Sequence, residues 1–319
     1  EGVPSGLGPP TLAVPELAGR AWLFPNDRKV RHIAHLLGRA GGTCEVLHYV
    51  PEQGCTVRHI DGQGSVLIGK CRADQRGVVA VSLSAERFVL NGALRLARVT
   101  EHDAARGIVW QQAVPGEPLS PQAVLRDPAL WAGRIGPAIA AFHALTPPPG
   151  LKPLTFASAG LTIAGRIART AAAMPDFAVP LTRLGAVLEQ CRPQECAAVL
   201  THGDLHPGNL LWDGQSLALI DLDTAALAPP VFDHATLTAG LIHKAIELGE
   251  EEPSIDAMVG ALRAAFRREM ADERAFDWAL AASLLGERLY RCATRRKTLS
   301  AEHRQRLIVF AERRIACHA

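Results

Sequence analysis

Residues 201–224 read THGDLHPGNLLWDGQSLALIDLDT. In this stretch, Asn209 follows Asp204 by five residues, and Asp221 closes an apolar run. Transfer of the γ-phosphoryl group of ATP to a hydroxyl requires one carboxylate near the attacking oxygen and oxygen ligands for magnesium. The spacing therefore predicts a phosphoryl-transfer centre, with Asp204 as the catalytic base and with Asn209 and Asp221 as the magnesium ligands.

Turn signals in the same stretch are expected to bring these side chains together. The Pro-Gly pair at 207–208 allows the loop after Asp204 to turn. Residues 209–212 and 217–220 are then predicted to be two short strands joined by an Asp-Gly hairpin at 213–214. Such a hairpin returns Asp221 to the side of Asn209.

Each of the three residues has a simpler interpretation when it is taken alone. An Asp after His-Gly, or a single Asn, is commonly a turn or cap residue, and Asp221 could simply end a strand. The three residue types at these spacings, joined by one hairpin, favour the catalytic interpretation.

The motif HGDLHPGN at 202–209, followed by IDLD at 220–223, resembles the aminoglycoside phosphotransferase and choline kinase-like family of small-molecule kinases. The resemblance implies an α+β, bilobal protein-kinase-like fold, with a small antiparallel sheet as the N-terminal lobe and a larger, mainly helical C-terminal lobe. It also implies ATP and magnesium as cofactors. Protein kinases carry Arg at the position of Gly203 and a Phe-Gly pair after the position of Asp221, and this chain has neither.

The segment after the motif favours a small acceptor over a protein. Asp233 follows Asp221 by only twelve residues, which leaves no room for a long activation segment. Asp233 itself resembles the family's Asp that opens the next helix, and we expect it to act as the N-cap of that helix. Asp223 could hold a second metal ion or stabilise the turn after Asp221, and both roles stay open. We expect His202 and His206 to position the loop.

The chain before the motif is predicted to form a strand-rich lobe. Residues 43–50, 55–60 and 65–71 are predicted to be three antiparallel strands separated by turns. The turn at 51–54, where a glycine-rich cover over ATP is expected, contains only one glycine. We predict a nucleotide-covering lobe at 1–114 and a catalytic and substrate-binding lobe at 115–319.

Lys70 ends the third of these strands, at the position where protein kinases carry the lysine of Val-Ala-Ile-Lys. A lysine there can reach the α and β phosphates of ATP, although on this segment alone it could be a solvated strand-end residue. A Glu on the following helix holds such a lysine, and Glu86 is the acidic residue between 77 and 98. We therefore predict a pair of Lys70 and Glu86 at the nucleotide.

Residues 108–119 are predicted to be a strand that stops at a Pro-Gly turn, which is typical of a hinge between lobes. In the family that the chain resembles, adenine hydrogen-bonds to the backbone of this segment. We predict that Gln112 and Val114 make those backbone contacts. An ordinary connector is the alternative interpretation.

Composition excludes several other classes of protein. The 319 residues are 48% hydrophobic, carry a formal net charge of +2, and contain no apolar run of about 18 residues, so we expect neither nucleic-acid nor membrane binding. Seven scattered cysteines and no signal-peptide pattern at 1–10 favour free thiols in a soluble, cytoplasmic protein. The oligomeric state is left open.

The C-terminal part is predicted to be mainly helical. A helical stripe at 131–145 contains Pro137, which predicts a kink or a later helix start, and residues 160–190 are predicted to be helices interrupted at Pro175 and Pro180. Further helices are predicted at 233–248, 255–270, 275–293 and 301–317.

The predicted acceptor is a small molecule that offers a hydroxyl: an aminoglycoside or other antibiotic, an amino alcohol, a sugar or a related metabolite. The segment 275–297 argues against a strongly cationic acceptor because it contains Arg288, Arg291, Arg295, Arg296 and Lys297, but these charges could equally face solvent. A catalytically silent nucleotide-binding module of the same fold, or a protein kinase, are the alternative functions.

Overall fold

Two groups of residues fold as separate units in the computed structural model, which describes residues 11–14, 19–73, 89–90, 94–270, 272–294 and 299–316. The first unit consists of the described residues within 1–88, 96–114 and 221–223. The second consists of those within 89–95, 115–220 and 224–319.

The first unit contains a two-stranded and a five-stranded antiparallel sheet. Strands β1 to β5 are Thr11–Val14, Gly19–Trp22, Gly42–Val50, Gly54–Asp61 and Val66–Arg72, and helix α1 is Ile33–Leu37. Strands β8 and β9 are Val99–Asp103 and Ile108–Gln112. The larger sheet has the order β3-β4-β5-β9-β8. The three strands predicted in this part of the chain are thereby confirmed to within one residue at each end.

Side chains alternate across β4 because successive residues of a strand face opposite sides of the sheet. Cys55 and Val57 are buried, and the residues between and beside them are more exposed. Helix α1 covers this buried face with Ile33 and Leu36. Trp110 on β9 belongs to the same core.

The second unit combines short strands with the larger set of helices. Its strands are β6 Val89–Leu90, residues 94–95 of β7 Leu94–Leu96, β10 Glu117–Pro118, β11 Val199–Thr201, β12 Leu210–Trp212, β13 Leu217–Leu219 and β14 Ala226–Ala228. Its helices are α2 Pro121–Arg126, α3 Pro128–His143, α4 Phe156–Ala173, α5 Ala178–Gln190, α6 Val231–Glu247, α7 Glu252–Phe266, α8 Glu273–Ser283, α9 Tyr290–Thr294 and α10 Ala301–Ala316. A π-helix, Leu284–Leu289, joins α8 to α9.

The hairpin predicted from the Asp-Gly signal is confirmed. β12 and β13 pair antiparallel, with Leu210 opposite Leu219 and Trp212 opposite Leu217. The Asp213 carboxylate accepts hydrogen bonds from the backbone N–H groups of Gln215 and Ser216, both at 2.8 Å, which closes the turn.

One proline effect differs from the expectation. Pro180 does not interrupt a helix, because it occupies the first turn of α5, where the backbone N–H has no partner within the helix. Pro137 lies inside α3, which starts upstream of it at Pro128, so of the two predicted effects the later helix start is excluded and the kink stays a prediction. Among the described residues, none of the helices is long and apolar enough to cross a membrane.

Candidate active site

The loop that carries Asp204 runs from the end of β11 to a 3-10 turn at Pro207–Asn209. The carboxylate of Asp204 is partly open to solvent, with 29% of its side chain exposed. One of its oxygens accepts a hydrogen bond from Arg291 at 3.2 Å. Asp204 is therefore presented at the surface of the second unit, where a bound molecule can reach it.

Gly203 is required by the shape of this loop. Its φ is +79°, a left-handed conformation that side chains rarely adopt, and a Cβ there would lie 2.1 Å from the carbonyl oxygen of Thr224. The Thr224 hydroxyl in turn donates to the carbonyl of His202 at 3.1 Å. This backbone therefore has no room for the Arg that protein kinases carry at the position of Gly203.

Two histidines hold the loop, as the sequence predicts. His202 is fully buried, its Nε2 lies 2.8 Å from the carbonyl oxygen of Ile220, and its Nδ1 accepts from the backbone N–H of Asp204 at 3.4 Å. The Nδ1 of His206 accepts from the backbone N–H of Gly208 at 3.1 Å. Both imidazole rings therefore bind backbone groups and hold the loop in shape.

The prediction that Asp233 caps a helix is wrong. Helix α6 starts at Val231, and Asp233 lies within its first turn without capping it. Its buried carboxylate instead accepts hydrogen bonds from the backbone N–H groups of His202 at 2.7 Å and Gly203 at 3.0 Å. Asp233 thus fixes the backbone just before Asp204, a long-range role that a helix-start pattern does not reveal.

A buried charged network stands behind Asp233. His143 lies 3.1 Å from the Asp233 carboxylate through Nε2 and 2.9 Å from Glu269 through Nδ1. Burial alone would lower the pKa of His143, but the two carboxylates together raise it to about 9. His143 is therefore the positive charge that allows Asp233 to stay ionised in the interior.

Asn209 is tied directly to Asp204. Its side-chain Nδ2 donates to the backbone carbonyl of Asp204 at 3.0 Å, and the residue is 6% exposed. Since the amide nitrogen is used as a donor, Oδ1 is the atom left for a cation. The backbone carbonyl of Asn209 also accepts from the N–H of Ile220 at 3.1 Å, the residue that precedes Asp221 in the chain.

Lys70, Asp221 and Asp223 meet in the first unit. The Nζ of Lys70 lies 2.5 Å from Asp221 and 3.5 Å from Asp223, and Arg72 approaches Asp223 at 3.2 Å. Burial raises the pKa of Asp223, Lys70 opposes that shift, and Asp221 adds to it. Asp221 has φ of +64°, a strained conformation for a non-glycine residue that is typical of functional sites. Glu86, the predicted partner of Lys70, lies outside the described residues.

The predicted adenine-binding segment is the end of β9 and the residues after it. The backbone N–H of Gln112 donates to the carbonyl of Arg98 at 2.7 Å, and that of Ala113 donates to Val66 at 3.1 Å. Val114 is half-buried. The role of Gln112 and Val114 in adenine binding stays a prediction. The N–H group of Gln112 already donates to Arg98 and is therefore not free for adenine.

A cavity of about 220 Å³ in the second unit adjoins the Asp204 loop. Gly203 and Asp233 line one side of it, and α4, α6, α8 and the π-helix enclose the rest. Its charged lining residues include Arg166 and Glu287, whose side chains lie 3.5 Å apart.

Two arginines that reach this region have no role predicted from the sequence. Arg291 contacts Asp204, and Arg288, whose buried Nε has no acceptor among the described residues, donates to the carbonyl of Thr236 at 3.2 Å. The sequence signal for these arginines is that they lie in a basic segment. Periodicity did not show which face of the helix meets Asp204, because a π-helix changes the register just before Arg291.

Comparisons with known proteins identify the family and the fold class. A sequence profile of the phosphotransferase enzyme family matches residues 83–279, more than half of the chain. A macrolide 2′-phosphotransferase from Brachybacterium faecium is 17% identical with a TM-score of 0.53, covering 87% of this chain and 95% of its own. A choline/ethanolamine kinase family protein from Mesorhizobium loti is 15% identical with a TM-score of 0.54, covering 89% and 91%.

A third solved structure, of a putative fructosamine-3-kinase from Thermobifida fusca, is 18% identical with a TM-score of 0.52, covering 90% of this chain and 97% of its own. A search of curated protein sequences finds no match. The similarities confirm the predicted α+β, protein-kinase-like fold class.

Proposed function

We propose that this chain, a kinase-type enzyme that belongs to the phosphotransferase enzyme family, transfers the γ-phosphoryl group of ATP to a hydroxyl of a small molecule. The observation that carries the proposal is the local geometry of Asp204 and Asn209. The partly exposed carboxylate of Asp204 and the buried amide of Asn209 share one loop, and the Asn209 amide donates a 3.0 Å hydrogen bond to the backbone carbonyl of Asp204.

Asp204 orients the acceptor hydroxyl and accepts its proton as the phosphoryl group moves. Positioning supplies much of the rate in this chemistry, so the loop has to be rigid. Its rigidity comes from the two backbone hydrogen bonds to Asp233 and from the close approach of Gly203 to Thr224.

The side chains offered to a nucleotide and a metal ion have the required chemistry. Asn209, Asp221 and Asp223 present amide and carboxylate oxygens, which are the ligands that magnesium prefers. When bound, magnesium and ATP supply the transferable phosphoryl group and neutralise its charge. Lys70 is held beside the two aspartates and would bind the phosphates. Gln112, Val114 and Glu86 complete the proposed nucleotide contacts.

The short connection after Asp221 supports a small acceptor. A 3-10 turn at Leu222–Thr224 and strand β14 occupy this segment before α6 begins at Val231. No long loop for docking a peptide is formed by the residues described there.

The test compares Asp204→Asn with the wild type and with Asp176→Asn, a control at an exposed aspartate. The proposal expects Asp204→Asn to lose ATP-dependent phosphorylation of an acceptor panel by at least about 10³-fold, while it binds magnesium and ATP as the wild type does. The Asp176→Asn control should keep wild-type turnover. Full turnover in Asp204→Asn would refute the assignment.

A further inference from the structure

We infer that the acceptor is a small hydroxy acid, whose carboxylate or phosphate group is bound by Arg288 and Arg291 beside Asp204. This inference rests on the proposed kinase function and narrows its acceptor class. It begins from the π-helix at Leu284–Leu289 and helix α9, which carry the two arginines to the Asp204 loop.

Arg291 is hydrogen-bonded to the Asp204 carboxylate, the group that would accept the proton of the acceptor hydroxyl. Its guanidinium donates to Asp204 at 3.2 Å, and both side chains are about one-third exposed, at 34% and 29%. A guanidinium binds a carboxylate or phosphate through two parallel hydrogen bonds. An anionic acceptor group would therefore attract Arg291 away from Asp204 and place the neighbouring hydroxyl near the freed oxygen.

Arg288 is buried but only partly hydrogen-bonded among the described residues. Its Nη2 donates to the Thr236 carbonyl, but its Nε is buried without an acceptor among the described residues. Burial lowers the pKa of Arg288, and Arg291 adds to that shift, whereas Glu287 and Asp204 oppose it. A buried donor without an acceptor is unfavourable. An anion beside the two guanidiniums would satisfy it.

The local balance of charge disfavours a polycation. Arg166 and Arg169 come from α4, and Arg169 contacts the hydroxyl of Tyr290 at 3.4 Å. With Arg288 and Arg291 they make four guanidiniums around this region. The buried carboxylate of Asp233, which lines the same cavity, is paired with His143. Among the described residues, the carboxylates in contact with these guanidiniums are Asp204 and Glu287.

Both of these carboxylates already contact an arginine, Asp204 with Arg291 and Glu287 with Arg166. An acceptor with several ammonium groups would meet like charges here. The buried Oε2 of Glu287 has no hydrogen-bond donor among the described residues, so a further hydroxyl or amine of the acceptor would donate a hydrogen bond to it.

The neighbouring cavity, which is lined by Gly203, Arg166 and Glu287 rather than by Asp204 or the two arginines, would hold the remainder of the acceptor. At about 220 Å³ it lies below the usual range of ligand pockets, roughly 300–1,000 Å³. Amino acids, sugar acids and small phosphate esters suit this volume better than an antibiotic of several rings.

The test measures ATP turnover by the full chain with matched acceptors that differ in one group. Three sets compare a member that carries a carboxylate with counterparts that lack it: gluconate with glucose and glucosamine, homoserine with 3-amino-1-propanol, and serine with ethanolamine. Glycerol 3-phosphate, glycerate and glycerol distinguish a phosphate from a carboxylate. We expect the member with the carboxylate or phosphate in at least one set to have a kcat/KM at least tenfold above its counterparts.

Variants connect that preference to the arginines. Arg288→Gln and the more exposed Arg291→Gln should each raise the KM for the preferred acid at least tenfold and leave the KM for ATP within twofold. Arg267→Gln, at a surface arginine with 76% of its side chain exposed, should change neither. If Arg288→Gln does not fold, Arg291→Gln alone carries the comparison.

Several results would overturn the inference without touching the kinase assignment. They are preference for a neutral or cationic member, a silent panel in a protein that still binds magnesium and ATP, or an increase in the KM for ATP instead of the acid. A protein that binds no ATP, or turnover that survives Asp204→Asn, would instead refute the proposed function.

Discussion

Replacing Gly203 with Ala tests whether the shape of the Asp204 loop controls activity. The added Cβ would lie 2.1 Å from the carbonyl oxygen of Thr224, whereas real Cβ atoms essentially never approach closer than 3.0 Å. The opposing atom belongs to the backbone and cannot rotate away. The loop must therefore move by roughly 1 Å, a displacement that can reduce catalysis about 10²-fold.

Gly214→Ala is the matched control. Gly214 has φ of +97°, but nothing lies within 4 Å of a Cβ added there. Both substitutions therefore carry the backbone cost of a left-handed residue, about 1–2 kcal/mol, and only Gly203→Ala adds the collision. We expect both variants to lose stability and Gly203→Ala alone to lose activity.

The assay pairs urea unfolding with ATP turnover on the preferred acceptor. The expected result is a kcat/KM at least about 10²-fold lower for Gly203→Ala, equivalent to about 2.7 kcal/mol in the barrier, and near-wild-type turnover for Gly214→Ala. Equal turnover in the two variants would contradict the idea that this close contact positions Asp204.

Two further predictions concern charge. Because the pKa of His143 rises from 6.5 to about 9 on folding, the stability it contributes is complete below pH 6.5 and is lost as the pH rises through 9. Urea midpoints of the wild type should fall across that window more than those of His143→Gln; parallel profiles would exclude a charged His143. Lys70→Met removes the cation that lies 2.5 Å from Asp221 and should raise the KM for ATP at least tenfold with little change in the KM for the acceptor. An unchanged KM for ATP would remove Lys70 from the nucleotide site.

Local signals predicted the parts of the fold that depend on neighbouring residues. The Asp213-Gly214 turn and its two strands form as predicted because the Asp213 side chain closes the turn on itself. The strands that end at Val50, Asp61 and Arg72 also follow from the turn residues that separate them.

Contacts between distant residues were the parts that sequence reasoning missed. Asp233 resembles a helix cap in its local sequence, but its carboxylate bonds to backbone about thirty residues earlier. Arg291 reaches Asp204 from 87 residues away. Gly203 was seen only as a departure from protein kinases, and its reason, the carbonyl of Thr224, requires the folded backbone.

The most direct test of the central claim follows the γ-phosphoryl group itself. The wild-type protein is incubated with magnesium, ATP labelled in its γ-phosphoryl group and the acceptor panel, and the label is then separated into nucleotide, inorganic phosphate, protein and small-molecule fractions. The account predicts label on one small-molecule acceptor, in amounts equal to the ADP formed and absent with Asp204→Asn. Label found only as inorganic phosphate, or on the protein, would contradict it.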